Sequence, residues 1–131
     1  MMSDPISEML ARIRNANLRR HSEVSVSYSK MKESILKVMQ VEGFLANFLT
    51  EGQGTEKQLK IALKYGAKGE SLIRSLRRIS KPGRRIRKGY KDLKPILNSQ
   101  GILVVSTSRG VISDGTCREI KIGGEVLLEV Y

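Results

Sequence analysis

The chain has 131 residues and carries 24 Lys and Arg side chains against 13 Asp and Glu, which gives a formal net charge of +11. Hydrophobic residues make up 40% of it, enough for a core, and this excludes a disordered polycation. One cysteine and one histidine exclude an internal disulfide and leave a Cys/His metal centre without ligands, so no metal or cofactor is expected.

Membrane and secretory signals are missing from the sequence pattern. An apolar run of about 18 residues, which a membrane-spanning helix needs, does not occur. Residues 1–10 lack the basic start and apolar stretch of a secretory signal. We therefore expect no membrane association and a reducing, cytoplasmic compartment.

The first half of the chain begins with a predicted helix. Asp4 followed by Pro5 is typical of an N-cap and a first helical residue, because the carboxylate can accept hydrogen bonds from free amides and proline has no amide to leave unpaired. Apolar side chains then recur at helical spacing. They are Ile6, Met9, Leu10, Ile13 and Ala16.

A strand, a second helix and a hairpin follow. Residues 24–28 alternate apolar and polar side chains, which predicts a strand with one polar face. Ser29 is a suitable cap for a helix that stops near Gly43. Residues 44–50 and 59–65 read as strands joined by a Gly-rich loop. Residues 1–66 are thus predicted to form an α-β-α-β-β lobe.

Residues 67–131 are predicted to form a mainly β lobe with a short helix. Residues 71–79 fit a helix as well as a buried strand, which leaves their conformation open. Two strands, a helical turn, a capped helix and a last strand are expected beyond them. Their ranges are 84–88 and 102–105 for the strands, 95–98 for the turn, 113–121 for the helix and 125–131 for the last strand. The predicted fold class is α+β in two small lobes, 1–66 and 67–131.

The positive charge is concentrated in one short segment. Residues 74–94 contain ten Lys and Arg side chains and one acidic residue, Asp92, so 21 residues carry a net charge of +9. Like charges packed this densely repel one another unless an anion relieves them. Six of the ten are arginines, whose planar fork suits phosphates and base edges. The segment predicts binding to a nucleic acid.

The basic segment allows three other interpretations. The side chains could form a solvated surface, although the arginine content argues against that. A membrane-surface helix would be broken by Pro82, Gly83 and Gly89. A duplex-DNA-binding protein would need a recognition helix, whereas these cations fall on turns and short strands.

Three adjacent hydroxyl side chains, Ser106, Thr107 and Ser108, lie where the central strand ends. They could contact bases, sugars or phosphates, or they could satisfy the backbone of their own turn. A nucleophilic serine needs a nearby base, and His21 lies in a charged, polar stretch near a helix end, so no catalytic residue is predicted. The pair Gly123–Gly124 could form a phosphate-binding nest or a simple turn.

The chain resembles the bacterial small-subunit ribosomal protein S8 family over nearly its whole length. Several short stretches carry the resemblance in the family's order and spacing. They are residues 4–6, 12–15, 29–32, 63–65, 79–83 and 106–111, then Asp114, Arg118 and residues 123–125. This chain differs from the family at two positions. The family frequently has an aromatic residue in place of Arg87 and an alanine in place of Cys117.

The resemblance implies a two-lobed protein that is not an enzyme and that binds the central domain of 16S rRNA, helping to organise assembly of the 30S platform. It also implies that residues 71–79 are a strand. Charge and resemblance together predict a set of RNA-binding residues. They are Ser106, Thr107, Ser108, Gly110, Gly123, Gly124, Glu125, Lys30, Arg84, Arg85, Arg87 and Lys88.

The implied partners are rRNA, neighbouring small-subunit proteins with ribosomal protein five as a candidate, and the messenger RNA of its own operon. In isolation the chain is expected to be a monomer. The alternative interpretation is a basic protein that binds other structured RNA or DNA, including a regulatory mRNA. The sequence leaves open whether the ribosome is bacterial or organellar.

Overall fold

The computed structural model describes residues 4–97 and 100–131. They fall into two compact units. One comprises Glu8–Ile73 and the other comprises Arg74–Tyr131 with the described part of residues 1–7. The lobe boundary predicted between residues 66 and 67 stays a prediction.

The Glu8–Ile73 unit holds two helices and a three-stranded antiparallel sheet. Its elements are α1 (Pro5–Leu18, which starts in the other unit), β1 (Glu23–Ser27), α2 (Lys30–Val41), β2 (Leu45–Glu51) and β3 (Gln58–Leu63). The sheet order is β1-β3-β2. Its core is built from fully buried aliphatic side chains of the helices and β3, among them Ile13, Ile35, Leu36 and Ile61.

The start of α2 forms for the reason that the sequence indicates. Ser29 has extended backbone angles, and its Oγ accepts a hydrogen bond from the Lys32 amide at 3.1 Å. This satisfies one of the amides that the first helical turn leaves unpaired. The helix ends at Val41, two residues before Gly43.

The second unit is mainly β. Its elements are β4 (Leu76–Arg78), β5 (Arg87–Lys88), β6 (Ile102–Thr107), β7 (Gly110–Ser113), α3 (Asp114–Ile120) and β8 (Gly124–Val130). The antiparallel order is β4-β8-β6-β7, and β5 also pairs with β8. The strand β8 is therefore central, with β6 on one side and β4 and β5 in succession on the other.

A small hydrophobic core stabilises this unit. Leu103 and Val105 of β6 and Val126 of β8 pack with Leu93 and Cys117, and all five are at most 7% exposed. Cys117 lies on α3, and Ser113 caps that helix by accepting from the Thr116 amide. The core thus fixes α3 and the hairpin that precedes it on the same sheet.

The predicted α+β fold class and the α-β-α-β-β order of the first half are confirmed. The predicted strand 71–79 is shorter than expected, since only Leu76–Arg78 is a strand. The basic strand predicted at 84–88 is reduced to Arg87–Lys88. The reason is that Lys81 and Arg84 exchange backbone hydrogen bonds in a turn, which leaves them unavailable to the sheet.

The helical turn predicted at residues 95–98 is wrong for residues 95–97, and Asn98 lies outside the described residues. Ile96 forms an isolated bridge with Gly101, and Leu97 has φ of +46°. The side chain of Ile96 packs against the core of the unit, so burial outweighs the local helical preference. A 3₁₀ turn occurs earlier, at Tyr90–Asp92.

Candidate nucleic-acid interface

The hydroxyl-bearing loop is the tip of the hairpin formed by β6 and β7. Thr107 pairs with Gly110 at the end of the ladder, which leaves Ser108 and Arg109 in the turn. Gly110 has φ of +106°, a conformation that side-chain-bearing residues rarely adopt. The glycine is therefore needed for this tight reversal.

Thr107 fixes the shape of this loop. Its Oγ1 donates to the Gly110 carbonyl at 2.8 Å and accepts from the Arg109 amide at 3.1 Å. The hydroxyl proton is thus already used within the hairpin, and one lone pair remains available to a ligand. The sequence allowed these hydroxyls either to contact a ligand or to bond the backbone of their own turn. The Thr107 hydroxyl bonds the backbone of its own turn.

The two serines beside it differ from Thr107. Ser106 is partly buried, Ser108 is exposed, and neither hydroxyl has a hydrogen bond to another of the described residues. Each can both donate and accept toward a ligand. The loop therefore presents two available hydroxyls on a backbone that the third one holds in place.

The Gly123–Gly124 pair brings three backbone segments unusually close together. A Cβ at Gly124 would lie 2.1 Å from the Ser106 carbonyl oxygen, and one at Gly123 would lie 2.2 Å from the Lys88 carbonyl oxygen. Real Cβ atoms essentially never come this close to another atom. The two glycines thus allow the start of β8 to lie between the hydroxyl hairpin and the basic strand β5.

Cross-strand register places a polar row over three strands. Glu125 of β8 is opposite Ser106 of β6 on one side and opposite Arg87 of β5 on the other. Residues directly opposite each other in a sheet point to the same face. Arg85 reaches the same carboxylate, with Nη1 3.0 Å from the Glu125 oxygen. Hydroxyl, carboxylate and guanidinium groups are therefore adjacent on one face.

Ser80 holds the backbone of the segment that carries Arg84 and Arg85. This serine is fully buried, and its Oγ accepts from the Ile86 amide at 2.9 Å and donates to the Ile86 carbonyl at 3.2 Å. Arg84 and Arg85 lie in the segment that this contact closes, and both are exposed. Sequence reasoning missed the role of Ser80, because a serine before a Lys-Pro-Gly turn is a weak signal.

Not every cation of residues 74–94 is available to a ligand. The Arg78 side chain is 6% exposed, with Nε 3.1 Å from Asp4 and Nη1 2.6 Å from the Leu127 carbonyl oxygen. Arg77 pairs with Glu129 at 3.4 Å, although it stays exposed. Asp92 is the one acidic residue within the segment, but Asp4, Glu125 and Glu129 come to it from distant parts of the chain.

Asp4 is ionised under ordinary conditions. Burial acts to raise its pKa, but hydrogen bonds from Ser7 and Arg78 outweigh burial and hold the pKa below its usual value. Both the Ser7 hydroxyl and the Arg78 guanidinium donate to the same carboxylate oxygen. The Ser7 backbone also hydrogen-bonds this carboxylate, so Asp4 caps the N-terminus of α1 and is at the same time the ion-pair partner of Arg78.

Asp114 connects α3 to the sheet. Its side chain is buried, and one oxygen accepts from the Leu103 amide at 3.1 Å while the other lies 2.7 Å from Arg118. Arg118 also donates to the Leu93 carbonyl at 3.2 Å. Burial, with a contribution from Asp114, raises the pKa of the Cys117 thiol. Cys117 is thus a protonated core residue.

The predicted site residues divide between the two units. The hairpin, glycine pair, Glu125 and basic residues all belong to the unit that contains Arg74–Tyr131. Lys30 is the first residue of α2, is exposed, and belongs to the Glu8–Ile73 unit. The assignment of all these residues to RNA binding remains a prediction.

The described residues lack a metal-binding cluster and a membrane-spanning helix. Within residues 4–97 and 100–131 there is no group of three or more His, Cys, Asp or Glu side chains that could hold a metal ion. Over the same residues, no helix has the length and apolar character needed to cross a bilayer.

Comparison with known proteins identifies the family. A profile described as "Ribosomal protein S8" matches residues 4–131. The chain belongs to the ribosomal protein S8 family. The resemblance inferred from its short motifs is thereby confirmed.

Relatives of the S8 family match at nearly full length. The small ribosomal subunit protein uS8 of Prochlorococcus marinus strain NATL2A is 51% identical, with 97% of this chain and 96% of the relative covered. The uS8 protein of Synechococcus sp. strain CC9311 is 47% identical, with coverage of 98% and 97%. That of Rubrobacter xylanophilus is 42% identical, with coverage of 99% and 98%.

Membership of the S8 family has direct consequences for function. The family is a structural component of the small ribosomal subunit and not an enzyme, and rRNA binding follows from it. The chain is therefore a structural protein of the ribosome. The prediction that it has no catalytic role agrees with this assignment.

Proposed function

We propose that this S8 protein binds the central domain of 16S rRNA directly, as a primary binding protein that helps to organise assembly of the 30S platform. The observation that carries the proposal is the row formed by Ser106, Glu125 and Arg87 across β6, β8 and β5. It combines an available hydroxyl with cationic groups on one face of the sheet.

The cations would supply most of the affinity. Arg84, Arg87 and Lys88 are exposed, and among the described residues no ion pair engages their side chains. Each can bind a phosphate without first breaking an internal contact. Phosphate contacts position a protein on nucleic acid but carry no sequence information directly. They therefore explain binding to RNA in general, and selection must come from other groups.

The hydroxyl hairpin would supply the selection. Ser106 and Ser108 can donate to and accept from base edges and ribose hydroxyls, which irregular RNA exposes. The Glu125 carboxylate can only accept hydrogen bonds, and it repels phosphates. It therefore favours a ribose 2′-hydroxyl or a base amino group beside the loop. This combination suits an irregular, partly unpaired RNA helix better than regular DNA.

The proposal extends to partners and location. We propose neighbouring small-subunit proteins as partners, with ribosomal protein five as a candidate, and a cytoplasmic ribosome as the location. The messenger RNA of its own operon is a further proposed ligand, provided that it folds into a similar irregular helix and is bound by the same hairpin. Binding to other structured RNA or to DNA is the competing interpretation.

Footprinting tests the proposal. The purified protein is incubated with separate transcripts of the 5′, central and 3′ domains of 16S rRNA and with a DNA duplex as competitor. We expect protection confined to an irregular helix of the central domain and no displacement by the DNA. Equal protection of all three transcripts, or ready displacement by the duplex, would refute specific binding.

A pair of double variants separates phosphate contacts made by the basic segment from a general effect of net charge. Replacing Arg84 and Arg87, which are exposed and have no ion pair among the described residues, with glutamine should make the dependence of log affinity on log salt less steep by about 1.4 to 1.8, since each phosphate contact contributes about 0.7 to 0.9. Replacing Lys64 and Lys68, which are exposed in the other unit, removes the same charge as a control. An equal change in both variants would mean that only net charge matters.

A further inference from the structure

A polar cavity of about 250 Å³ opens in the Glu8–Ile73 unit. Its wall includes Glu8 and Arg12 of α1, Ser25 and Ser27 of β1, and Lys32 of α2. None of these five residues is among those that the sequence predicted to bind RNA. The cavity therefore needs an explanation of its own.

Lys32 is the unusual residue in this wall, because it is a lysine that is only 5% exposed. Its Nζ donates to the Ser27 carbonyl at 3.1 Å and to the Ser27 hydroxyl at 2.9 Å. An ammonium group has three donors, so one remains. Among the described residues, no carboxylate lies within the 4.0 Å that defines an ion pair with Lys32.

A buried ammonium whose contacts are all neutral favours an anion. Buried charges in proteins are normally paired, because desolvation costs several kcal/mol that neutral acceptors repay only in part. The remaining Lys32 donor provides one contact for an anion. The Ser27 hydroxyl accepts from Lys32, which leaves its own proton free to donate to the same group.

The rim of the cavity narrows the choice of anion. Arg12 is exposed and brings a second positive charge, while Glu8 on the preceding helical turn brings a negative one. Glu8 would repel a phosphate bound on its own side of the cavity. A single phosphate group held on the Lys32 side avoids that repulsion, and Glu8 can then accept from a hydroxyl next to the phosphate.

We propose that this cavity binds a phosphate group, with Lys32 as its principal donor, and that on the ribosome this group belongs to the RNA backbone. The second statement rests on the proposed rRNA binding. The cavity would give the Glu8–Ile73 unit a phosphate contact of its own, built from residues other than the exposed Lys30.

Two measurements test the proposal. In the first, inorganic phosphate is titrated into the whole protein while the amide resonances of Ser25 and Ser27 are followed by NMR. We expect saturable shifts in the wild type that weaken at least tenfold in Lys32→Met, which keeps the length of the side chain without its charge. Lys37→Met, on an exposed position of α2, is the matched control and should bind as the wild type does.

In the second measurement, the affinity for the central-domain transcript is followed as a function of salt. Lys32→Met should reduce the steepness of that dependence by about 0.7 to 0.9, the contribution of one phosphate contact. Arg12→Gln provides a second variant at an exposed position, should Lys32→Met fail to fold. It should weaken phosphate binding and also reduce the salt dependence.

The outcomes separate this inference from the proposed function. If the wild type binds the transcript but Lys32→Met and Arg12→Gln keep the full salt dependence, the RNA contact is refuted while the proposed function stands. If phosphate shifts neither serine amide, the cavity is not an anion site. If phosphate binds but the wild type ignores the transcript, the proposed function is wrong and the cavity serves a free anion.

Discussion

The close approach of β8 to the hydroxyl hairpin can be tested by adding one methyl group. In Gly124→Ala the new Cβ would start 2.1 Å from the Ser106 carbonyl oxygen, and the nearest distance that real Cβ atoms tolerate is about 3.0 Å. The two strands must separate by about 0.9 Å at this point. The obstacle is backbone, so no side-chain rotation can relieve it.

The loss in free energy of unfolding follows from the core packing that this separation disturbs. The next cross-strand pair is Val105 with Val126, and both valines are at most 1% exposed in the core. Forcing extra volume into a packed site typically costs about 1–3 kcal/mol. In a protein of this size each kcal/mol lowers Tm by about 4 °C, so we expect a decrease of about 4–12 °C. Affinity for the central-domain RNA should fall about tenfold if Ser106 shifts with β6.

Thermal unfolding and filter binding measure the two effects. Gly89→Ala is the matched control, because a Cβ there meets no atom within 4 Å and its φ is −74°. The control should change the free energy of unfolding by less than about 0.5 kcal/mol. If Gly124→Ala and Gly89→Ala unfold at the same temperature, the contact between Gly124 and Ser106 does not exist as described.

Two further predictions concern single side chains. Thr107→Val removes the hydrogen bonds to Gly110 and Arg109 while keeping the side-chain shape, so it should cost about 1 kcal/mol of stability. It should also reduce preference for the cognate RNA over plain duplex without changing the salt dependence, and unchanged preference would contradict the role of the loop. Asp4 has a folded pKa below its unfolded value of about 3.8, so its stabilising effect is complete above that pH and is lost as acid lowers the pH through the folded pKa. Acid unfolding of wild type and Asp4→Asn should therefore converge below about pH 4, and a constant difference in stability down to pH 2 would contradict the ion pair with Arg78.

The helices and most strands were predictable because local patterns determine them. The helical spacing of Met9, Leu10 and Ile13 describes α1, and all three side chains are buried. Ser29 and Ser113 predict the starts of α2 and α3 through capping hydrogen bonds that span three residues. Such interactions lie within one helical turn, so the sequence contains all that they need.

The elements that were predicted poorly depend on distant partners. Residues 95–97 fail to form a helical turn because Ile96 packs into a core formed by strands and α3. The basic strand is shorter than expected because Ser80 binds Ile86 and because Lys81 pairs with Arg84. No local propensity describes these contacts.

The candidate interface likewise has features that local sequence patterns predict and features that depend on distant partners. Sequence patterns singled out the hydroxyls, the glycine pair and the basic segment, and they identified the S8 family. They could not show that Thr107 uses its hydroxyl inside the hairpin while Ser106 and Ser108 remain available. Nor could they show that Lys32 is buried beside a polar cavity.

The sequence by itself determined the helices, the excess of positive charge and the family, because each depends on the identity and spacing of neighbouring residues. Only the tertiary structure decided which charges are available. It buries Arg78 against Asp4 and joins Arg85 to Glu125, across separations of 74 and 40 residues. The physical reason is that Coulomb energy and desolvation depend on distance in space and on exposure, and chain folding sets both.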